Sequence, residues 1–370
     1  MQTVCHVTSA HNSFDTRIFR KECYSLAEAG YNVFLVAPGA SRDEDGVHII
    51  GTGSKAASRY KRMTEGAYSA IKKALELNAD LYHLHDPELL LYATKIIRRN
   101  KYVVFDAHEN YAEQIRIKKY IPRTLRNAIS GMYDAVETKT LKKIDGVVFA
   151  GLTDGKNIYK DKCKRTVLVN NSAISKDFQQ ISNNDLSERK YICCTGALTE
   201  ERGITQLVKA AYLTDTPLLL AGSISETYLN KLCAMQEFKT AEYLGMLSPS
   251  GVKSIINESF LGSAVTLDVG QYYSACNLAT KTTEYMMSGI PVLINKTTYN
   301  LDLLNQVSFG KAIRAENLDE YAEAINFYKN NPLIAQRDGN AGRDFALQHF
   351  TWELEAKKLL ALYASIFNKE

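Results

Sequence analysis

Ala279-Thr280-Lys281-Thr282-Thr283-Glu284-Tyr285-Met286-Met287-Ser288-Gly289-Ile290-Pro291-Val292-Leu293-Ile294 is the stretch from which the rest of the chain can be read. It starts polar and continues as a short helical segment with one carboxylate. It stops at Gly289, with Pro291 just beyond, as at a helix C-terminus. Val292-Leu293-Ile294 then reads as a buried strand. A helix start presents backbone N–H groups and the positive end of its dipole, which together bind phosphate. Glu284, near that start, can accept hydrogen bonds from paired hydroxyls. The same spacing also fits a core helix and strand with a surface glutamate.

Strand and helix signals alternate outward from this point. Strands are expected near 2–8, 32–37, 47–50, 80–84, 102–106 and 145–149, with helices near 16–29, 60–77, 87–99 and 123–143. A second series places strands near 190–194, 217–221, 242–244, 263–268, 291–294 and 309–313. Alternation of this kind predicts parallel sheets joined by crossover helices. The polar segment 166–189, with Ser182-Asn183-Asn184-Asp185, reads as the junction between the two series. Helical patterns at 317–330, 333–348 and 351–368 end the chain, the last long enough to pack back on the first series.

A length of 370 residues exceeds one comfortable core, so two domains are expected. A 45% hydrophobic and 23% charged composition is that of a globular protein. No apolar run approaches the ~20 residues of a membrane span. Met1-Gln2-Thr3-Val4-Cys5-His6-Val7 reads as a first strand, not a leader peptide. The seven cysteines are scattered, without zinc spacing, as expected for reduced thiols in a cytoplasmic protein. The net charge of +4 hides two basic segments. Residues 115–143 carry eight basic side chains against Asp134 and Glu137, and residues 55–73 carry six against Glu65. Ile117, Ile121, Leu125 and Ile129 recur every four residues in the first of these. Basic residues beside an apolar stripe fit a membrane surface, or a solvated helix face. No aromatic-interleaved basic motif points to nucleic acid.

Chemistry-bearing residues gather where strands end. After the first strand come His11, Asp15 and Arg17, and Asp15 also suits a helix cap. Tyr82-His83-Leu84-His85-Asp86-Pro87 runs through the end of the fourth expected strand. Its two histidines share one face, but no further metal-ligand set is evident in the sequence. Asp86 stands just past the strand end. Val103-Val104-Phe105-Asp106 runs into His108 and Glu109, and an imidazole there suits hydroxyl recognition near neutral pH. Ligands of such sheets lie beyond the carboxyl ends of the strands. Gly51-Thr52-Gly53-Ser54-Lys55-Ala56 mimics a dinucleotide fingerprint, but it does not follow the first strand. Ala221-Gly222-Ser223 is a strand-to-helix turn that either lines a base pocket or only turns the chain.

The 279–294 stretch resembles the nucleotide-sugar signature of family 4 glycosyltransferases, with Lys281, Glu284, Tyr285, Met286, Gly289, Pro291 and Val292 in place. Ala279 stands where proline is usual, and Cys276 where many members have a second glutamate. His11-x-x-x-Asp15-Thr16-Arg17-Ile18-Phe19 and His83-Leu84-His85-Asp86-Pro87 resemble motifs of one subgroup of that family. Gly196-Ala197-Leu198 through Arg202-Gly203 resembles its diphosphate loop, with Ala197 where arginine is frequent.

The resemblance implies a GT-B fold, α/β, with two Rossmann-like domains facing a central cleft. Residues 1–170 would bind the acceptor, 171–350 the nucleotide sugar, and 351–370 would return to the first domain. It implies transfer of a sugar with retention from a nucleotide diphosphate donor, UDP ahead of GDP, to a glycan hydroxyl. A lipid-linked saccharide of capsule, O-antigen or exopolysaccharide synthesis is the expected acceptor. Catalytic roles fall to His108, Arg202 and Glu284. Donor contacts fall to Gly196, Arg202, Gly222, Thr280, Lys281, Thr282 and Glu284, with Lys281 a replacement for the cation missing at Ala197. Acceptor contacts fall to His11, Asp15, Arg17, Asp86 and Glu109. No metal or cofactor is expected, since side-chain cations and helix N–H groups can meet the leaving-group charge. A cytoplasmic protein is expected, held peripherally on anionic membrane through 55–73 and 115–143. A non-catalytic partner subunit and a nucleotide-sugar 2-epimerase are the alternative readings.

Overall fold

The computed structural model describes residues 1–54, 58–118, 121–178, 185–269 and 276–368. The chain divides into two compact units, Met1–Asn171 with the residues from Glu353 on, and Ser172–Trp352.

The first unit is built on β1 (Thr3–Val7), β2 (Asn32–Ala37), β3 (Arg42–Glu44), β4 (Val47–Gly51), β5 (Leu81–Leu84), β6 (Tyr102–Ala107), β7 (Gly146–Phe149) and β8 (Thr166–Leu168). They lie in the order β3-β4-β2-β1-β5-β6-β7-β8, parallel apart from the β3–β4 pair. β5 and β7 are wholly buried, as strands covered on both faces must be. The charged Arg42-Asp43-Glu44 gives no strand signal in sequence. It pairs because Asp45-Gly46 turns it back onto β4 as a two-residue hairpin. Gly53 bridges to Gly39, so that part of the fingerprint-like stretch is backbone pairing, while Lys55 and Ala56 lie outside the described residues. The strand order reverses between β1 and β5, where crossovers leave in opposite directions and open a crevice at the carboxyl ends.

Between 111 and 141 the sequence expectation needs correcting. One helix spans Tyr111–Ile117 and another Arg126–Leu141. Pro122, which cannot sit inside a helix without breaking it, falls between them. The four-residue recurrence from Ile117 to Ile129 therefore does not form one helical stripe, and Lys119 lies outside the described residues.

The helix Trp352–Phe367 belongs with the first unit. Leu362 and Ile366 lie against Gly146 of β7. Glu355 accepts from the Asn170 backbone N at 2.9 Å and from its side-chain amide at 3.2 Å. Tyr363 is fully buried.

The second unit holds β9 (Tyr191–Thr195), β10 (Leu218–Ala221), β11 (Ala241–Tyr243), β12 (Ser259–Ser263), β13 (Val292–Asn295) and β14 (Gly310–Ile313). All are parallel, in the order β11-β10-β9-β12-β13-β14. The order reverses again, between β9 and β12. β12 lies four residues before the apolar run 263–268 that had marked it. Its Gly262 is enclosed by the Tyr285 ring, which a larger residue would displace. The run itself continues past the sheet edge, where Thr266 is held by the Asn295 side chain at 2.9 Å. The Ser182–Asn184 part of the expected junction lies outside the described residues.

Candidate functional site

In the first unit, the loop after β1 is folded around one carboxylate. Asp86 Oδ2 accepts from Thr8 Oγ1 at 2.8 Å, Ser9 N at 2.6 Å, Ala10 N at 3.1 Å and Ser9 Oγ at 3.2 Å. Asp86 is buried, so it braces the loop at the β1/β5 reversal. Its Oδ1 lies 3.7 Å from His11 Nε2.

Asp15 caps the helix Thr16–Cys23 by accepting from Arg17 N at 2.9 Å and Ile18 N at 3.0 Å. His11 Nδ1 lies 3.0 Å from Asp15 Oδ2. Burial pushes the Asp15 carboxyl up, but the His11 hydrogen bond and charge and the Ile18 N–H outweigh it and hold it well below the carboxylate range. The His11 ring stacks on His108, with centroids 5.4 Å apart and planes 18° from parallel.

Arg17 turns inward. It is 4% exposed, pairs with Asp106 through two nitrogens, and donates to the Val169 carbonyl at 3.1 Å. The structure gives it internal partners in place of the acceptor contact expected from sequence. Asp106 in turn lies 3.6 Å from both His85 Nδ1 and His108 Nε2. His85 Nδ1 and His108 Nε2 are 3.1 Å apart. Burial drives the His108 pKa down to about 3, against the opposing pull of Asp106. The ring is therefore neutral at pH 7 and can donate from one nitrogen while accepting at the other. Glu109, the next residue, is exposed.

Behind this pair lies a polar cluster of which motif reading showed His83 and His85 but missed His6 and Glu22. His6, His83, His85 and Glu22 are all fully buried. His6 pairs with His83 across β1 and β5, and His85, two residues on, faces the same side. The signal was present as polar residues inside apolar strands, at His6 and Asp106. Their meeting depends on strand pairings 77 residues apart between β1 and β5 and 21 apart between β5 and β6.

In the second unit, three segments converge at the carboxyl ends of β9 and β10. The loop after β9 starts at Gly196 and carries Arg202 to the left-handed Gly203 that opens the helix Ile204–Leu213. Gly222, at φ +138°, lies so close to Gly196 that a Cβ would sit 1.8 Å from the Gly196 carbonyl oxygen. The third segment is the helix Thr280–Met287. It ends in a Schellman motif, with Gly289 N bonded to Met286 O at 2.9 Å and Ile290 N to Tyr285 O at 3.3 Å. Gly289 takes the φ of +72° that this cap requires.

Tyr285 and Lys281 tie that helix to β9. The buried Tyr285 hydroxyl accepts from Thr195 N at 2.8 Å, and Lys281 Nζ lies 3.4 Å from Cys194 Sγ. Thr282 is buried, while Thr280, Lys281 and Glu284 are half-buried. Beside the loops is a cavity of about 420 Å³, lined by Leu198, Thr199, Glu201, Ser223, Ile224 and Tyr228 among others. Ser223, in the 221–223 turn, is one of the lining residues.

Two family models match the chain. The Glycosyltransferase Family 4 model matches residues 17–151 and the Glycosyl transferase-like model matches residues 202–361. Among solved structures, sucrose-phosphate synthase from Thermosynechococcus elongatus is similar at 15% identity and TM-score 0.77, over 100% of both chains. A glycosyltransferase from Rickettsia africae is similar at 14% identity and TM-score 0.71, over 100% of this chain and 99% of that one. HepE of Anabaena, in complex with UDP and glucose, is similar at 12% identity and TM-score 0.72, over 99% of this chain and 100% of HepE. No curated protein sequence matches significantly. The fold is that of the GT-B glycosyltransferase structures.

Proposed function

We propose that this chain, which has the GT-B fold, is a glycosyltransferase that moves a hexose from a UDP-sugar to a hydroxyl of a lipid-linked glycan, with retention at the anomeric carbon. The observation that carries the donor side is the junction of the Gly196 and Gly222 turns with the helix Thr280–Met287, beside the cavity at Ser223 and Tyr228. HepE, similar in fold, has been captured with UDP and glucose. In this reading the second unit binds the nucleotide sugar. Glu284 accepts from the ribose hydroxyls. Arg202, Lys281 and the first turn of the helix meet the diphosphate, whose negative charge grows as the glycosidic bond breaks. Thr280 and Thr282 stand at that same turn.

The first unit receives the acceptor at the β1/β5 reversal, where His11 and Glu109 are the accessible polar groups and Asp15 and Asp86 hold the loop. His108, neutral and stacked on His11, is the group set against the donor sugar. The reading asks for no metal in the transfer step. Preference for a polysaccharide acceptor on a lipid rests on the basic segments. Leu125, Met132 and Val136 are exposed in the same segment of sequence as Lys118, Arg123 and Lys139, and each basic group near an anionic surface contributes ~1 kcal/mol. No helix is long and apolar enough to cross a membrane among the described residues.

The test is thermal stabilisation by UDP, GDP and their sugars, with NAD as control. A donor nucleotide at 100 times its dissociation constant adds about 2.7 kcal/mol. A shift with UDP and none with GDP or NAD supports the donor assignment, and no shift with any nucleotide overturns it. Proton NMR of the product's anomeric signal then reads retention against inversion, and vesicle flotation with anionic lipid reads the membrane contact.

A further inference from the structure

We infer that His6, His83, His85 and Glu22 form a closed binding site for a structural divalent metal ion, with Zn²⁺ the best match to three imidazoles and a carboxylate. The geometric ground is one atom. Glu22 Oε2 lies 3.9 Å from His6 Nδ1, 3.9 Å from His83 Nδ1 and 4.0 Å from His85 Nε2. One carboxylate oxygen thus faces three ring nitrogens at nearly equal range, and all four groups are fully buried.

A tetrahedral zinc with bonds near 2.0–2.1 Å needs its ligand atoms about 3.4 Å apart. The three distances from Oε2 would contract by about half an ångström on that geometry. The His6 Nδ1 to His85 Nε2 contact, now 2.8 Å, would open by a similar amount. His6 and His83 are direct partners across adjacent strands, so their side chains leave the same face of the sheet.

The polar accounting points the same way. Arg17 Nε lies 3.0 Å from Glu22 Oε1, on the other oxygen from the one that faces the three histidines. Among the described residues neither Glu22 oxygen nor His83 Nε2 has a hydrogen-bond partner, while His83 Nδ1 lies 2.9 Å from the Tyr363 hydroxyl, a contact that the ion would replace. Buried polar groups are found hydrogen-bonded or coordinating metals, because leaving one unanswered is expensive. The donor set of nitrogen and oxygen suits zinc over the softer or harder alternatives. Four protein ligands leave no open position, so the ion would be structural and outside the transfer chemistry. The Tyr363 hydroxyl, 3.2 Å from His6 Nε2, would take the outer proton of that ring, the usual second contact of a metal-bound histidine. With Nε2 on the metal, His85 can only donate from Nδ1, so His108 Nε2 would become the acceptor of their 3.1 Å contact. That last consequence alone rests on the role proposed for His108.

The experiment measures zinc in the full chain after gel filtration, then in chelator-treated chain reloaded with Zn²⁺ or with Co²⁺ as a spectroscopic probe. The expected result is about one ion per chain, a higher Tm with zinc than after chelation, and the visible bands of tetrahedral Co²⁺. Glu22→Gln and His83→Gln should lose the ion, while His48→Gln, on an exposed imidazole elsewhere, should keep it. Because the wild-type readouts need no variant to fold, they decide the matter alone. No stoichiometric metal and no metal-dependent Tm overturns the assignment and leaves a neutral hydrogen-bonded core. Zinc bound equally by Glu22→Gln also overturns it, as surface binding.

Discussion

Arg17 and Asp106, 89 residues apart in sequence, meet as a two-point pair in which Nε and a terminal nitrogen each lie 3.1 Å from a different carboxylate oxygen. The pair joins the first helix to the end of β6. It fixes Asp106 at equal distance from His85 and His108.

Arg17→Met removes one half of that pair and leaves a buried carboxylate behind. Breaking a buried pair this way costs about 3–5 kcal/mol, much of it the stranded charge. Urea unfolding of the variant should show that loss. A change within about 0.5 kcal/mol, ordinary for a surface substitution, would mean the pair carries no structural weight.

Asp15→Ala removes a helix cap and should cost about 1 kcal/mol at pH 7. The pH dependence has a definite sign. The folded carboxyl is held below its unfolded value of about 3.9. Its stabilisation is complete above that value and is lost as pH falls through the folded pKa. Unfolding free energies measured from pH 7 downward should therefore converge for wild type and variant below about pH 3.9. A gap that widens in acid contradicts the assignment.

Glu284→Ala and Lys281→Ala address the donor directly. Hydrogen bonds to charged groups are worth about 1.5–3 kcal/mol, so each variant should weaken UDP-sugar binding by roughly 10- to 100-fold. Calorimetric titration with the donor reads this. Intact affinity in Lys281→Ala removes Lys281 as the replacement cation.

Gly222→Ala places a methyl group 1.8 Å from the Gly196 carbonyl oxygen, so the two turns must part. Strain of this kind costs about 1–3 kcal/mol, and nucleotide-induced stabilisation should disappear with it. Gly245→Ala is the control, since its φ is also positive at +75° but nothing lies within 4 Å of the added carbon. A Gly222→Ala chain that keeps a full UDP shift would separate these turns from the donor site.

The alternation of strands and helices was legible because periodicity is local. The helix ending at Gly289 and the strand from Val292 were read from sixteen residues. β12 was misplaced because Ala264-Val265-Thr266-Leu267 is more strand-like than Phe260-Leu261-Gly262, yet only the latter lets the Tyr285 ring approach. β3 was missed because a turn, not its own side chains, makes it a strand. Arg17 and Asp86 looked like surface chemistry beside a strand end. Their burial comes from partners in other segments, and no window of sequence contains both sides of those contacts. The same limit hid Glu22, which becomes notable only when three strand positions are brought before it.

The helix Trp352–Phe367 completes the first unit, although the whole of the second unit precedes it in the chain. During synthesis the sheet of the first unit must therefore wait for its last wall. At about 5–20 residues per second, the intervening stretch takes roughly 10–35 seconds to emerge. For that interval Gly146, His83 and His6 lack the cover that Leu362, Ile366 and Tyr363 later provide. The nascent chain thus has a vulnerable period whose length is set by translation speed, and chaperone demand should fall on the first half of the protein after that half has already left the ribosome.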